Sequence, residues 1–330
     1  MRRNVRGCLC TGMQARLNAI RETREMQHRG EAMSDKKMMS QMADKAGFIA
    51  ALDQSGGSTP GALRLYGIAD ADYHGEEEMF RLVHEMRVRI MTAPAFSGDK
   101  VIGAILFERT MDGEANGKPV PAFLWEERGV VPFLKVDKGL AAEVNGVQVM
   151  KPMPDLDDLL DRAVKKGIFG TKMRSVIAQA NRAGIAAVVH QQFSVAQRIL
   201  GHGLVPIIEP EVSIKSTTKR EAEVILREEI LRELDALPSG QKVMIKLTLP
   251  SVADFYKPLI DHKSVIRVVA LSGGYSRADA CEKLSHNHGM IASFSRALAE
   301  DLLVTMSNAE FDRSLERAID QIYAASASKK

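Results

Sequence analysis

Cysteine is scarce in this chain: Cys8, Cys10 and Cys281 are the only three in 330 residues. Three thiols make no disulfide framework, so a reducing, cytoplasmic setting is expected. Long apolar runs are missing too, and no stretch approaches the ~18 apolar residues of a membrane-spanning helix. Excess charge is small, with 45 basic residues against 42 acidic ones and a net charge of +3. That balance argues against nucleic acid as a partner. The eight histidines are scattered. Only His286 and His288 lie close together, and i, i+2 spacing does not put them on one helix face. No metal site and no bound cofactor are expected. Low-complexity segments and short internal repeats are absent. No G-x-G-x-x-G follows the first candidate strand, so the dinucleotide fingerprint is missing as well.

What is present is an ordinary globular composition, 45% hydrophobic and 26% charged, in a chain long enough for one large domain or two small ones. The first thirty-odd residues differ from the rest. They are arginine-rich, carry a weak apolar pattern, and lack the apolar core of a secretion signal. The arginines would suit a transit peptide, although three glutamates and little serine do not. Initiation at Met33 (M-S-D-K-K) is the favoured reading, with R-G-E-A before it a translated ribosome-binding sequence. Either way, residues 1–32 are expected to be a disordered extension and residues 33–330 the folded domain.

From Gly47 onward, short apolar runs alternate with helix-like stretches. Candidate strands are F-I-A-A-L-D (48–53), I-G-A-I-L-F (102–107), V-P-F-L-K-V-D (131–137), T-K-M-R-S-V-I (171–177), V-P-I-I-E-P (205–210), V-M-I-K-L-T-L (243–249), R-V-V-A-L-S (267–272) and I-A-S-F-S-R (291–296). Helical spacing of apolar residues marks 155–166, 177–200, 219–237, 277–284, 297–304 and 308–324. Strands alternating with helices argue for a parallel sheet. About eight strands in this length fit an α/β fold of the (β/α)8 TIM-barrel type, built as a single domain.

The sixth candidate strand contains an anomaly. In K-V-M-I-K-L-T-L-P (242–250), Lys246 interrupts a buried period-two pattern. An unpaired ammonium there would cost several kcal/mol, so Lys246 is either ion-paired or kept for its chemistry. Other strands carry polar groups near their C-terminal ends. Asp53 shares a face with Ile49 and Ala51, Lys135 with Phe133 and Asp137, and Lys172 and Arg174 with Val176. Glu209 aligns with Ile207 and Glu211, Ser272 with Val268 and Ala270, and Arg296 with Ala292 and Phe294. Catalytic groups gather at that end of a (β/α)8 barrel. A single such residue would be unremarked at a barrel rim, but so many together are costly unless used.

Two glycine-bearing loops point to phosphate. L-S-G-G-Y-S (271–276) offers backbone N–H groups around Ser272, Gly273 and Gly274 where the seventh strand meets a helix, with Ser295 and Arg296 ending the eighth. D-Q-S-G-G-S-T-P (53–60) offers Ser55 and Ser58 after the first. Two anion sites flanking a lysine cluster fit a bisphosphorylated substrate.

The separated motifs A-L-D-Q-S-G-G-S-T-P, P-F-L-K-V-D-K-G, F-G-T-K-M-R-S, V-P-I-I-E-P-E, M-I-K-L-T, L-S-G-G-Y-S and A-S-F-S-R-A-L resemble, in order and spacing, the class I, Schiff-base-forming fructose-bisphosphate aldolases of the short bacterial type. The resemblance runs from about Gly47 to Ala325. It implies that Lys246 forms the imine, Glu209 is the general acid/base, and Asp53 and Lys172 complete the catalytic set. Lys135, Arg174, Ser272, Gly273, Gly274 and Arg296 would contact sugar phosphate. It also implies metal-independent glycolytic chemistry on small-molecule sugar phosphates, and members that are commonly homo-oligomers. Two departures stand out: Gln54 replaces a glutamate of the larger members, and Tyr323 is not at a flexible C-terminal end, so no role in proton transfer is carried onto it. A Schiff-base enzyme for another ketose bisphosphate, such as sedoheptulose bisphosphate, would use the same lysine. A non-catalytic phosphosugar-binding or scaffold barrel is the alternative outside enzymes.

Overall fold

The computed structural model describes residues 35–330; residues 1–34, and with them the extension expected over 1–32, lie outside the described residues. The chain divides into two compact units, Met1–Asp44 and Lys45–Lys330. Of the first, a helical segment over 35–44 is described. The second is a closed parallel barrel.

Its eight strands are β1 (Phe48–Leu52), β2 (Val101–Leu106), β3 (Val131–Lys135), β4 (Gly170–Ile177), β5 (Val205–Val212), β6 (Val243–Thr248), β7 (Val265–Leu271) and β8 (Met290–Phe294). Each pairs in parallel with its sequence neighbours, and β1 pairs with β8 to close the ring. A two-residue strand, Val147–Gln148, adds antiparallel to β4 outside the ring. Every candidate strand is present, with ends moved by up to two residues. Helices Gly75–Thr92, Leu156–Lys165, Arg182–Gly201, Lys219–Ala236, Arg277–Ser285 and Asn308–Ala327 surround the barrel.

Pairing register sorts the strand residues into two layers. Ala51 is level with Ile105, Ile105 with Phe133, Lys172 with Ile207, Ile207 with Met244, and Lys246 with Val269. These residues fill the interior and line its mouth. The alternate residues, among them Phe48, Ala50, Leu134, Ile208, Ile245 and Val268, join the outer core against the helices. The parity expected for two site residues therefore needs correcting. Val268, Ala270, Ala292 and Phe294 belong to that outer core, so the faces assigned to Ser272 and Arg296 point away from the interior. Both reach the mouth because β7 stops at Leu271 and β8 at Phe294, and the chain turns there.

Other boundaries moved for identifiable reasons. Helicity expected from 177 begins at Arg182, where Asn181 caps the helix by accepting the Gly184 N–H at 2.9 Å. Expected helix over 297–304 stops at Ala299. Arg89 takes the carbonyls of Val304 at 3.2 Å and Met306 at 2.5 Å, holding the following chain in a turn. Helix Gly75–Thr92 went unread in the sequence, although Met79, Val83, Met86 and Ile90 are buried at helical spacing.

Near the C-terminus, Lys329 Nζ donates to three carbonyls: Leu284 at 3.2 Å, Met290 at 2.7 Å and Ala325 at 2.8 Å. It ties the last turns of two helices to the first residue of β8, the end of the barrel opposite its mouth. Replacing Lys329 by Met should lower stability by about 1–3 kcal/mol, because partly buried carbonyls lose their donor. Urea unfolding checks this, and an unchanged midpoint would mean the three bonds contribute nothing.

Candidate active site

A cavity of about 570 Å³ opens at the C-terminal ends of the strands. Its floor is a ring of charge. Lys246 on β6 is only 4% exposed, and its Nζ lies 3.2 Å from Glu209 Oε1 on β5. The other Glu209 oxygen is 3.0 Å from Lys172 Nζ on β4. Lys172 Nζ in turn is 2.6 Å from Asp53 Oδ2, just past β1. Two buried cations and two buried anions thus alternate, which is what makes the cluster tolerable away from water. Burial alone would raise the Asp53 carboxyl, but Lys172, Lys246 and Lys135 together hold it down at about 2. Burial would lower Lys172, yet Asp53, Glu209 and Asp137 drive it well above the ordinary lysine range.

Backbone supports hold this arrangement. Gln192, fully buried on helix Arg182–Gly201, accepts the Glu209 backbone N–H on its Oε1 at 2.8 Å. Between β5 and β6 the register runs only through Ile207–Met244 and Ile208–Ile245, ending just before Glu209 and Lys246. Above that point Thr248 Oγ1 donates to the Val212 carbonyl at 2.6 Å, joining the strands by a side chain.

Lys135 and Arg174 line the wall, each with a carboxylate. Lys135 Nζ donates to Asp137 Oδ1 at 2.6 Å, and Arg174 Nε to Glu211 Oε2 at 2.6 Å. Asp137 also accepts the backbone N–H groups of Gly139 and Arg174, each at 3.2 Å.

The glycine turn after β7 is closed by Tyr275 N–H donating to the Ser272 carbonyl at 2.9 Å. Gly273 adopts φ 62°, and a Cβ there would stand 2.9 Å from Ile214 Cγ2, so only glycine fits without strain. The first-turn N–H groups of the next helix are engaged: Asp279 N–H bonds Ser276 Oγ at 3.1 Å and Arg277 N–H bonds Glu300 at 3.3 Å. An anion would therefore meet the glycine turn and Arg296 rather than the helix N-terminus. Ser272, Gly273, Ser295 and Arg296 line the cavity, while Gly274 stands behind, its Cβ position 3.4 Å from Arg296 Nη2.

Ser55 and Ser58 line the cavity on the β1 side. Ser58 Oγ closes its own turn, donating to the Ser55 carbonyl at 2.9 Å. The two anion-type loops follow β1 and β7, with β8 between them in the ring. Gln54 Nε2 donates to Ser295 Oγ at 2.5 Å and ties the β1 loop to the end of β8. Arg87, fully buried, donates to the Gln54 carbonyl and to Thr110 Oγ1 at 2.8 Å, and burial pulls its guanidinium down to about 10 against the opposing charge of Asp53.

Sequence reasoning thus brought the charged residues to one mouth but left out Glu211, Asp137, Gln54, Gln192 and Arg87. Strand parity had put Glu211 beside Glu209 and Asp137 beside Lys135. Nothing in the local pattern marks Gln192 or Arg87, which sit on surrounding helices.

An amine and a carboxylate in contact at the mouth of a (β/α)8 barrel are the groups that imine chemistry on a carbonyl compound requires. Comparison with known proteins narrows that chemistry. The family model described as "Fructose-bisphosphate aldolase class-I" matches residues 36–253. The chain is 57% identical over 292 residues to "Fructose-bisphosphate aldolase class 1" of Synechocystis sp., covering 88% of this chain and 97% of that protein. It is 56% identical over 292 residues to the protein of the same name from Porphyromonas gingivalis, covering 88% and 99%. Among solved structures it is similar in fold to fructose-bisphosphate aldolase from Plasmodium falciparum, with TM-score 0.70, 18% identity, and 91% and 97% of the chains covered. An archaeal fructose-1,6-bisphosphate aldolase, captured with its catalytic lysine bound to the carbinolamine intermediate, is also similar, with TM-score 0.51, 10% identity, and 88% and 99% covered. The chain belongs to the class I fructose-bisphosphate aldolase family, a family of lyases.

The charge ring carries a pH signature. The folded Asp53 carboxyl, at about 2, lies below its ordinary value of 3.8. Its contribution, roughly 2 kcal/mol, is therefore present above pH 3.8 and lost as pH falls from there through about 2. Acid unfolding of the Asp53→Asn variant should show a shallower stability loss across that window than the parent. Identical slopes would mean that Asp53 titrates as it does in the unfolded chain.

Proposed function

We propose that this chain catalyses the reversible cleavage of fructose 1,6-bisphosphate to dihydroxyacetone phosphate and glyceraldehyde 3-phosphate through an imine on Lys246. One observation carries the assignment: within this family's barrel, Lys246 Nζ and a Glu209 oxygen stand 3.2 Å apart at the floor of the cavity. An amine attacks a carbonyl only with its lone pair free, and Glu209 is placed to take the proton. Attack on C2 gives a carbinolamine, and Glu209 returns a proton to the departing hydroxyl so that water leaves and an iminium remains. The iminium withdraws electrons from C3. Asp53 takes the C4 hydroxyl proton, the C3–C4 pair moves toward nitrogen, and the aldehyde departs. Once the enamine has regained a proton at C3, water adds at C2 and releases the ketone product and free Lys246.

The Lys172 ammonium, in contact with both carboxylates, holds the Asp53 carboxyl low between turnovers and offsets charge as the proton moves. The remaining lining supplies recognition. One phosphate is assigned to the turn at Ser272 and Gly273 with Arg296, and the other to Ser55, Ser58 and Lys135, with Arg174 at the sugar. The same reading places the enzyme in the cytoplasm, in keeping with a buried, free Cys281.

Borohydride added with dihydroxyacetone phosphate should fix label on Lys246 and inactivate the enzyme, while a chelator leaves turnover unchanged. Lys246→Met should lose both label and cleavage. Glu209→Gln should still be labelled, slowly, with kcat lowered ~10²–10⁴-fold, the range of a positioned acid/base. Label on another lysine, or full cleavage by Lys246→Met, would overturn the assignment.

A further inference from the structure

Breaking the C3–C4 bond leaves an enamine on Lys246 that must gain a proton at C3. Among the described residues the cavity lining contains no tyrosine, histidine or cysteine. Tyr323 lies on helix Asn308–Ala327, packed against the outer core. The chain after it is bonded through Lys329 to Met290, at the far end of β8 from the mouth.

Four carboxylates line the cavity: Asp53, Asp137, Glu209 and Glu211. Asp137 is taken by Lys135 and two backbone N–H groups, and Glu211 by Arg174. Glu209 stands against Lys246 Nζ at 3.2 Å, beside the nitrogen of the enamine rather than its nucleophilic carbon. Asp53 is itself paired, with Lys172 at 2.6 Å, and is set apart from the other three by its assigned place at the substrate rather than by being unpaired. To accept the C4 hydroxyl proton it must border C4, and the lobe left at C3 when the aldehyde departs faces the space that C4 occupied.

We propose that Asp53 works twice in each turnover, taking the proton from the C4 hydroxyl and delivering a proton to C3 of the enamine on the same face. This deepens the function proposed above and rests on it.

The step balances without a further reactant. The C4 O–H bond breaks and its proton goes to Asp53. The C3–C4 pair passes into the enamine, and that pair then takes the proton from Asp53 to form the C3–H bond, regenerating the iminium. Asp53 ends as the carboxylate paired with Lys172 at 2.6 Å. The reverse step explains product activation: Asp53 removes a C3 proton from the imine of dihydroxyacetone phosphate.

The test is hydrogen–deuterium exchange at C3 of dihydroxyacetone phosphate in deuterated water, followed by NMR without any aldehyde and compared with cleavage. Asp53→Asn should lose exchange and cleavage together, each by ~100-fold or more, while borohydride still labels Lys246. Asp53→Glu retains a carboxylate for Lys172 and serves if the amide variant does not fold. It should slow the two rates by a similar factor. Tyr323→Phe should change neither. Exchange within about threefold of the parent enzyme while cleavage collapses, in either Asp53 variant, would overturn the proposal, as would loss of exchange in Tyr323→Phe. Failure to label Lys246 in the parent enzyme would instead refute the proposed function itself.

Discussion

Everything at the mouth of this barrel depends on the Lys172 ammonium lying between Asp53 and Glu209. Against burial, it joins Lys246 and Lys135 in holding the Asp53 carboxyl low, and without the two carboxylates the ammonium would be a buried, uncompensated charge. Lys246 closes the chain from the other side of Glu209. Four side chains from four strands are therefore one electrostatic object. No single strand gains from carrying its charged residue; the benefit exists only when the barrel is closed and β1, β4, β5 and β6 bring their ends together.

Closure also explains why the cluster is rigid where it needs to be and open where substrate must enter. The register between β4 and β5 runs through eight residue pairs, whereas that between β5 and β6 runs through two. Main-chain pairing gives way where Glu209 and Lys246 face one another, and side chains take over, with Gln192 holding Glu209 from behind and Thr248 reaching across to Val212. On the other side of the mouth, Arg87 and Gln54 bind the β1 loop to the scaffold and to the β8 loop. The anion-type loops thus form one continuous rim, set by which strands are neighbours in the ring.

Much of this was legible in the sequence, because a barrel strand has a period of two and its polar exceptions stand out against an apolar background. Lys246 within V-M-I-K-L-T is the clearest instance, and Lys172 and Glu209 follow by the same parity. Parity failed at Ser272 and Arg296 because it holds only while a strand lasts, and both lie beyond a strand end. Helix Gly75–Thr92 was missed although its apolar spacing was in plain view. Gln192 and Arg87 were invisible for a deeper reason. Each is a polar residue on a helix whose partner lies in a strand or loop distant in sequence, and no local pattern encodes that meeting.

The covalent step proposed at Lys246 is the centre of the proposed mechanism, and a crystal soaked with dihydroxyacetone phosphate and reduced with borohydride tests it most directly. Continuous density from Lys246 Nζ to C2, with a Glu209 oxygen in hydrogen-bond reach of that junction, is the expected result. Density leading instead to Lys172 or Lys135, or a bound ligand with Lys246 unmodified and apart from it, would contradict it.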